Sequence, residues 1–96
     1  MKHYIIVKFV PEITKKNIDE FAVQIKELFD NTKEIEGIHE VNVFKNCIDR
    51  DNRYDIMIEM EMEKEALPVY DESQWHVLWK HEYGRFIAQK TIFDRE

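Results

Sequence analysis

Four histidines (His3, His39, His76 and His81), one cysteine (Cys47), two tryptophans (Trp75 and Trp79) and the phenol of Tyr70 are side chains of this 96-residue chain that could carry chemistry beyond surface charge. An imidazole is the usual general base near neutral pH, and a phenol or a second imidazole beside it can stabilise an enolate. Metal binding asks for ligands that face one ion. His76 and His81 are five apart, which on a helix sets them about 140° around its axis, so surface histidines are expected and no ligand set can be assigned. Cys47 has no second thiol, so neither an internal disulfide nor a zinc-type cysteine pair can form. Because it ends an apolar-alternating run, it reads as a small buried or half-buried side chain. Trp75 and Trp79, four apart, form an aromatic stripe at helical spacing, the pattern of core packing.

These side chains need a frame, and composition bounds it. With 44% hydrophobic and 35% charged residues, the length is that of one domain over 1–96. No apolar run approaches the roughly eighteen residues of a membrane span, so no membrane partner is expected. Lys8 interrupts the apolar N-terminus and no small-residue cleavage site follows, so export is not expected, and the single cysteine fits a reducing cytoplasm. Fourteen basic against twenty acidic residues give a net charge of -6, which would repel a phosphate backbone, so no nucleic acid partner is expected.

His3 to Val10 is β-branched and aromatic, has apolar residues at both parities and stops at Pro11, which predicts a central strand. Thr14 reads as the N-cap of a helix whose Ile18, Phe21, Ala22, Ile25, Leu28 and Phe29 fall on one stripe. Gly37 reverses the chain, Ile38 to Cys47 reads as a second strand, and the polar stretch 49–53 turns it into a third. That third strand alternates Tyr54, Ile56, Ile58, Met60 and Met62 with a mostly acidic set, so its apolar face must lie under helices. Pro68 limits Lys64 to Tyr70 to a short or distorted helix. Ser73 caps another, with Trp75, Leu78, Trp79 and Phe86 expected on one face and His76, Lys80 and Tyr83 along its flank; Ala88 to Arg95 reads as the last strand. The order β-α-β-β-α-α-β predicts an α+β, ferredoxin-like protomer: a four-stranded antiparallel sheet with helices on one face, the other face open to water or to a partner.

His3 shares its parity with Ile5, Val7 and Phe9 and so points toward the helices. His76, one position off the apolar stripe, can reach the same space from above, and Tyr70 stands just before a chain break where its ring can turn inward. Two histidines and a phenol in a pocket lined by Phe, Trp, Ile and Met would suit proton removal beside a carbonyl. The same residues can equally be hydrogen-bonded groups at the core's edge.

Nearly end to end, the chain resembles the stress-response A/B barrel (Dabb) family of dimeric α+β barrels. The resemblance rests on residues 3–9, 34–38 and 44–46, on Tyr54-Asp55, Tyr70 and His76, and on Ile92-Phe93-Asp94. It implies a homodimer in which two open sheet faces close a barrel. A plant member of the family, olivetolic acid cyclase, closes an aromatic ring by aldol condensation of a linear polyketide thioester. By that resemblance His3, Tyr70 and His76 are the candidate catalytic residues, with Ser73-Gln74 standing where a His-Pro pair commonly precedes the helical histidine. Two functions stay open on this basis. One is a homodimer that binds a small, partly apolar ligand between sheet and helices. The other is a cofactor-free cyclase or isomerase acting on a polyketide-like or other carbonyl compound. Neither needs a cofactor, and none is expected; a Trp75–Trp79 face for haem or quinone, as in relatives in the wider superfamily, is the weaker alternative.

Overall fold

Strict alternation along two neighbouring strands sets the architecture. In β1 (Lys2–Phe9) every second side chain, His3, Ile5, Val7 and Phe9, is buried, and in β3 (Ile56–Met62) Ile56, Ile58, Met60 and Met62 are. The two strands pair antiparallel with Ile5 opposite Ile58 and His3 opposite Met60, so both apolar rows fall on the same face. The computed structural model describes residues 1–96. It adds α1 (Lys15–Asp30), β2 (Ile38–Lys45), α2 (Ala66–Asp71), α3 (Gln74–Tyr83) and β4 (Ile87–Arg95), with short 3-10 turns at Asn31–Glu34 and Gly84–Phe86. The sheet order is β2-β3-β1-β4, antiparallel throughout, which puts β1 inside the sheet and gives the ferredoxin-like α+β plan. Ile25 and Phe29 of α1, Tyr70 of α2 and Trp79 of α3 join the inner-face residues in one core.

The edge strands keep this phase by bulging. In β2, Ile38 opposes Met62 while Glu40 opposes Glu61, so His39 is an extra residue, and Ile38 and Val41 can both point inward although three apart. Between the strands and α2, Gly37 takes φ +96, and a Cβ there would stand 3.1 Å from the Ala66 Cβ, so the turn is tight enough to seat the start of α2 against it.

Helix ends follow local chemistry. Thr14 precedes α1 in extended conformation, and both its N–H and its hydroxyl donate to Asn17 Oδ1, at 3.3 and 2.9 Å. The helix expected over residues 64–70 begins at Ala66, which leaves Pro68 in its first turn, where the missing N–H has no helical partner in any case. Ser73 caps α3 as expected, its Oγ accepting from the His76 N–H at 3.3 Å.

Four expectations need correction. Cys47 is exposed, because β2 ends at Lys45 and the chain leaves the sheet before reaching it. Leu78 lies largely outside the core; the inward line of α3 is His76, Trp79 and Tyr83, one step round from the apolar stripe. Phe86 lies beyond the helix, in the 3-10 turn, yet still packs on Phe21 with ring centres 5.2 Å apart. Trp75 does not stack as a pair with Trp79 into the core, since its Nε1 donates instead to Glu34 at 2.9 Å.

Ile58 is fully buried at the middle of the seam between β1 and β3. Ile58→Ala should destabilise the fold by about 2–5 kcal/mol, read as a lowered urea midpoint with unchanged slope.

Candidate functional site

Between the β1–β4 end of the sheet and helices α2 and α3 lies a cleft of about 230 Å³. His3, Tyr70 and His76 all line it, brought together from a strand, the last turn of one helix and the first turn of the next. The Tyr70 ring meets His3 edge-on at 5.9 Å and His76 at 5.0 Å, with Phe29 behind it at 6.3 Å. Trp79, T-shaped on Phe29 at 5.2 Å, closes the floor.

Each imidazole is held through Nδ1. His3, buried on the inner face, has Nδ1 2.5 Å from Asp94 Oδ1, its antiparallel partner on β4. His76 Nδ1 lies 2.9 Å from the Asp71 carbonyl oxygen. A carboxylate and a carbonyl only accept, so in the neutral rings Nδ1 carries the proton and Nε2 keeps the lone pair. Fixing the tautomer through one nitrogen is how proteins aim the other.

Tyr70 is only 1% exposed, and its hydroxyl has no hydrogen-bond partner in the protein. Burial, and secondarily the Asp71 carboxylate, push its ionisation well above the ordinary phenol value. The hydroxyl therefore stays protonated at physiological pH and can serve as a donor. A buried polar group left unpaired costs on the order of 1–3 kcal/mol, so an acceptor entering the cleft would be favoured at this oxygen. The cleft thus combines two imidazole lone pairs, one phenol donor and an apolar floor. No three His, Cys, Asp or Glu side chains come close enough together to hold a metal ion.

Sequence reasoning gave no site role to Asp94, which it met only in the Ile92-Phe93-Asp94 segment, or to the Asp71 carbonyl or Lys90, all of which line or support the cleft. Asp94 becomes visible only once β1 is paired with β4, for then its place opposite His3 follows from register. Lys90 and Ile92 share its parity, but this face of β4 lacks the apolar alternation that marks β3.

The family model of the Stress responsive A/B Barrel Domain matches residues 1–96. None of the curated proteins matches the sequence. Among solved structures, the chain is similar to a dimeric protein of unknown function and ferredoxin-like fold from Bacteroides fragilis, at 16% identity and TM-score 0.79, covering 99% of this chain and 93% of that one. It is similar to a Dabb family protein from Mesorhizobium loti, at 13% identity and TM-score 0.74, again covering 99% and 93%. A hydroxynitrile lyase from Passiflora edulis matches at 14% identity and TM-score 0.70, over 96% of this chain and 87% of that one. These likenesses establish the fold, and the family match over all 96 residues establishes that the chain belongs to the stress-responsive A/B barrel (Dabb) domain family.

Proposed function

We propose that this protein is a homodimer that binds a small, partly apolar carbonyl compound in the cleft between sheet and helices, and that it moves a proton beside the carbonyl. The carrying observation is the buried, protonated and unpartnered Tyr70 hydroxyl between two imidazoles that each keep Nε2 free of the bond orienting the ring. In the proposed step His76 Nε2 takes a proton from the carbon next to the carbonyl. The C–H electron pair becomes the new C=C bond, and the oxygen that gains negative charge accepts the Tyr70 O–H. His3, steadied by Asp94, accepts from a hydroxyl or enol of the ligand and orients it. Returning the proton to a different atom gives an isomerase; attack of the enolate carbon on a second carbonyl of the same molecule gives a cyclase.

The dimer reading rests on the sheet face that the helices leave open. Phe44, Met57 and Ile6 run across it in register, and Phe93 stands opposite Tyr4 with 58% of its surface exposed. The charges on that face are largely matched within the chain. Lys2 pairs with Glu59 at 3.5 Å, Arg95 donates to the Tyr4 hydroxyl at 3.2 Å, and Lys8 bends to the carbonyl oxygens of Asp51 and Arg53. A second copy could therefore cover the apolar row without stranding a charge. The Bacteroides fragilis relative of the same fold is dimeric.

Three outcomes check this. Light scattering across a dilution series should give a dimer at micromolar concentration, and a monomer there would overturn the dimer. His76→Ala should keep the far-UV spectrum and slow deuterium exchange at the acidic carbon of a 1,3-diketone by roughly 10²-fold or more, read by proton NMR. Exchange no faster with the native protein than in buffer would reduce the function to binding alone. Tyr70→Phe should leave stability within about 1 kcal/mol, since the lost hydroxyl has no partner, while weakening ketone binding by roughly tenfold in a calorimetric titration.

A further inference from the structure

The groove continues past Trp79. Beyond that ring a second cavity of about 240 Å³ runs along β4, lined by Trp79, Lys80, Gly84, Ile87 and Lys90, and both Trp79 and Lys90 line the two cavities in common. Plain alternation could not put Ile87 and Lys90 on one face, because they are three apart. A bulge at Ala88 does it: Lys8 opposes Gln89, the next pair is Phe9 with Ile87, and the phase of the strand is reset on the side of the groove.

The two lysines of this cavity are unusual in their own chain. Seven of the ten lysines hold a carboxylate or a backbone carbonyl: Lys2, Lys8, Lys15, Lys26, Lys33, Lys45 and Lys64. Lys16 stands alone on α1, and the remaining two, Lys80 and Lys90, meet at this cavity with neither an ion pair nor a hydrogen bond. At the far end of the groove stand Asp71 and Asp94. Lys90 borders both cavities and Lys80 only the second, so the carboxylates stand beside the imidazoles and positive charge gathers toward the other end of the groove, past Trp79. An acidic chain of net charge -6 that keeps two cations unpaired against an apolar wall presents an oxyanion site.

The geometry points to this second cavity as the anion end of the ligand site: Lys80 and Lys90 receive a carboxylate or phosphate carried by the same compound whose carbonyl lies at Tyr70 and His76. The inference rests on the carbonyl reading of the first cavity and adds a substrate class to it, an anionic carbonyl compound with an apolar body long enough to pass Trp79. The Asp94 and Asp71 carboxylates repel the anion and the lysines attract it, so the ligand enters in one orientation, with its carbonyl directed to the phenol.

The test uses three probes of one shape, 2-naphthoate, 2-naphthyl phosphate and the neutral ketone 2-acetylnaphthalene. Each is titrated into the intact protein while backbone amide NMR signals of Ile87 and Lys90, and of Tyr70 and His76, are followed. An anionic probe should bind roughly fivefold or more tighter than the ketone, and raising the salt to about 0.5 M should shrink that preference. Lys80→Gln with Lys90→Gln should bring the anion to the ketone's affinity, and Lys80→Gln alone, at a residue that borders only the second cavity, should weaken the anion and leave the ketone's affinity unchanged. Whether the naphthoate or the phosphate binds tighter assigns the anion. Equal affinity of anion and ketone in the native protein, or a preference that survives the double substitution, would overturn the anion end. A lysine-dependent anion preference with no shift at Tyr70 and His76 from the ketone would instead sink the carbonyl reading and leave the anion end standing.

Discussion

The register between β1 and β3 is the constraint on which the rest of this protein depends. Ile5 against Ile58 and His3 against Met60 put two buried rows on one face, and a slip of one residue would turn every one of those side chains to the other side. The helices have only that face to cover, since Phe29, Tyr70 and Trp79 find their apolar surface there. Both edge strands add an extra residue rather than lose the phase, at His39 in β2 and at Ala88 in β4.

The same seam makes the site. His3 is carried inward by the alternation that buries Ile5 and Val7, so a polar ring arrives where a hydrocarbon would otherwise pack, and Asp94 on the neighbouring strand satisfies it. The chain then breaks between α2 and α3. That break frees the Asp71 carbonyl from the helical ladder to hold His76, and it lets Ser73 start a new helix whose first turn faces the end of the old one. Tyr70 is fixed by packing on Phe29 and not by its hydroxyl, so its position survives without a bond and its donor stays unspent.

The two faces of the sheet consequently serve different ends. The inner face carries the core and the groove, where unpaired polar groups are gathered: the Tyr70 hydroxyl at one end and the Lys80 and Lys90 ammoniums at the other. The outer face carries an apolar row whose flanking charges are mostly paired within the chain. Unpaired polar groups suit a ligand, and an apolar row with balanced charges suits a protein surface, so the proposed ligand site and the proposed dimer contact fall on opposite faces.

Element order, the buried face of β3, the cap at Ser73 and the inward direction of His3 were all legible in the sequence, because each follows from a period of two or from side-chain chemistry acting within a few residues. The inward line of α3 was not, because Leu78 is apolar yet exposed while His76 is polar and faces the cleft; helical phase there is set by the sheet, whose His3 stands 73 residues before His76 in the chain. The exposure of Cys47 was not legible for a related reason: a small apolar side chain just past Lys45 carries no sign that the strand has ended, and only strand pairing shows where it does. Asp94 beside His3, the bulge that turns Ile87 and Lys90 to one side, and the meeting of Lys80 with Lys90 were decided by tertiary structure alone. Local sequence chooses which side of an element is apolar, but which residues meet across elements depends on register, and register comes from burying both rows at once.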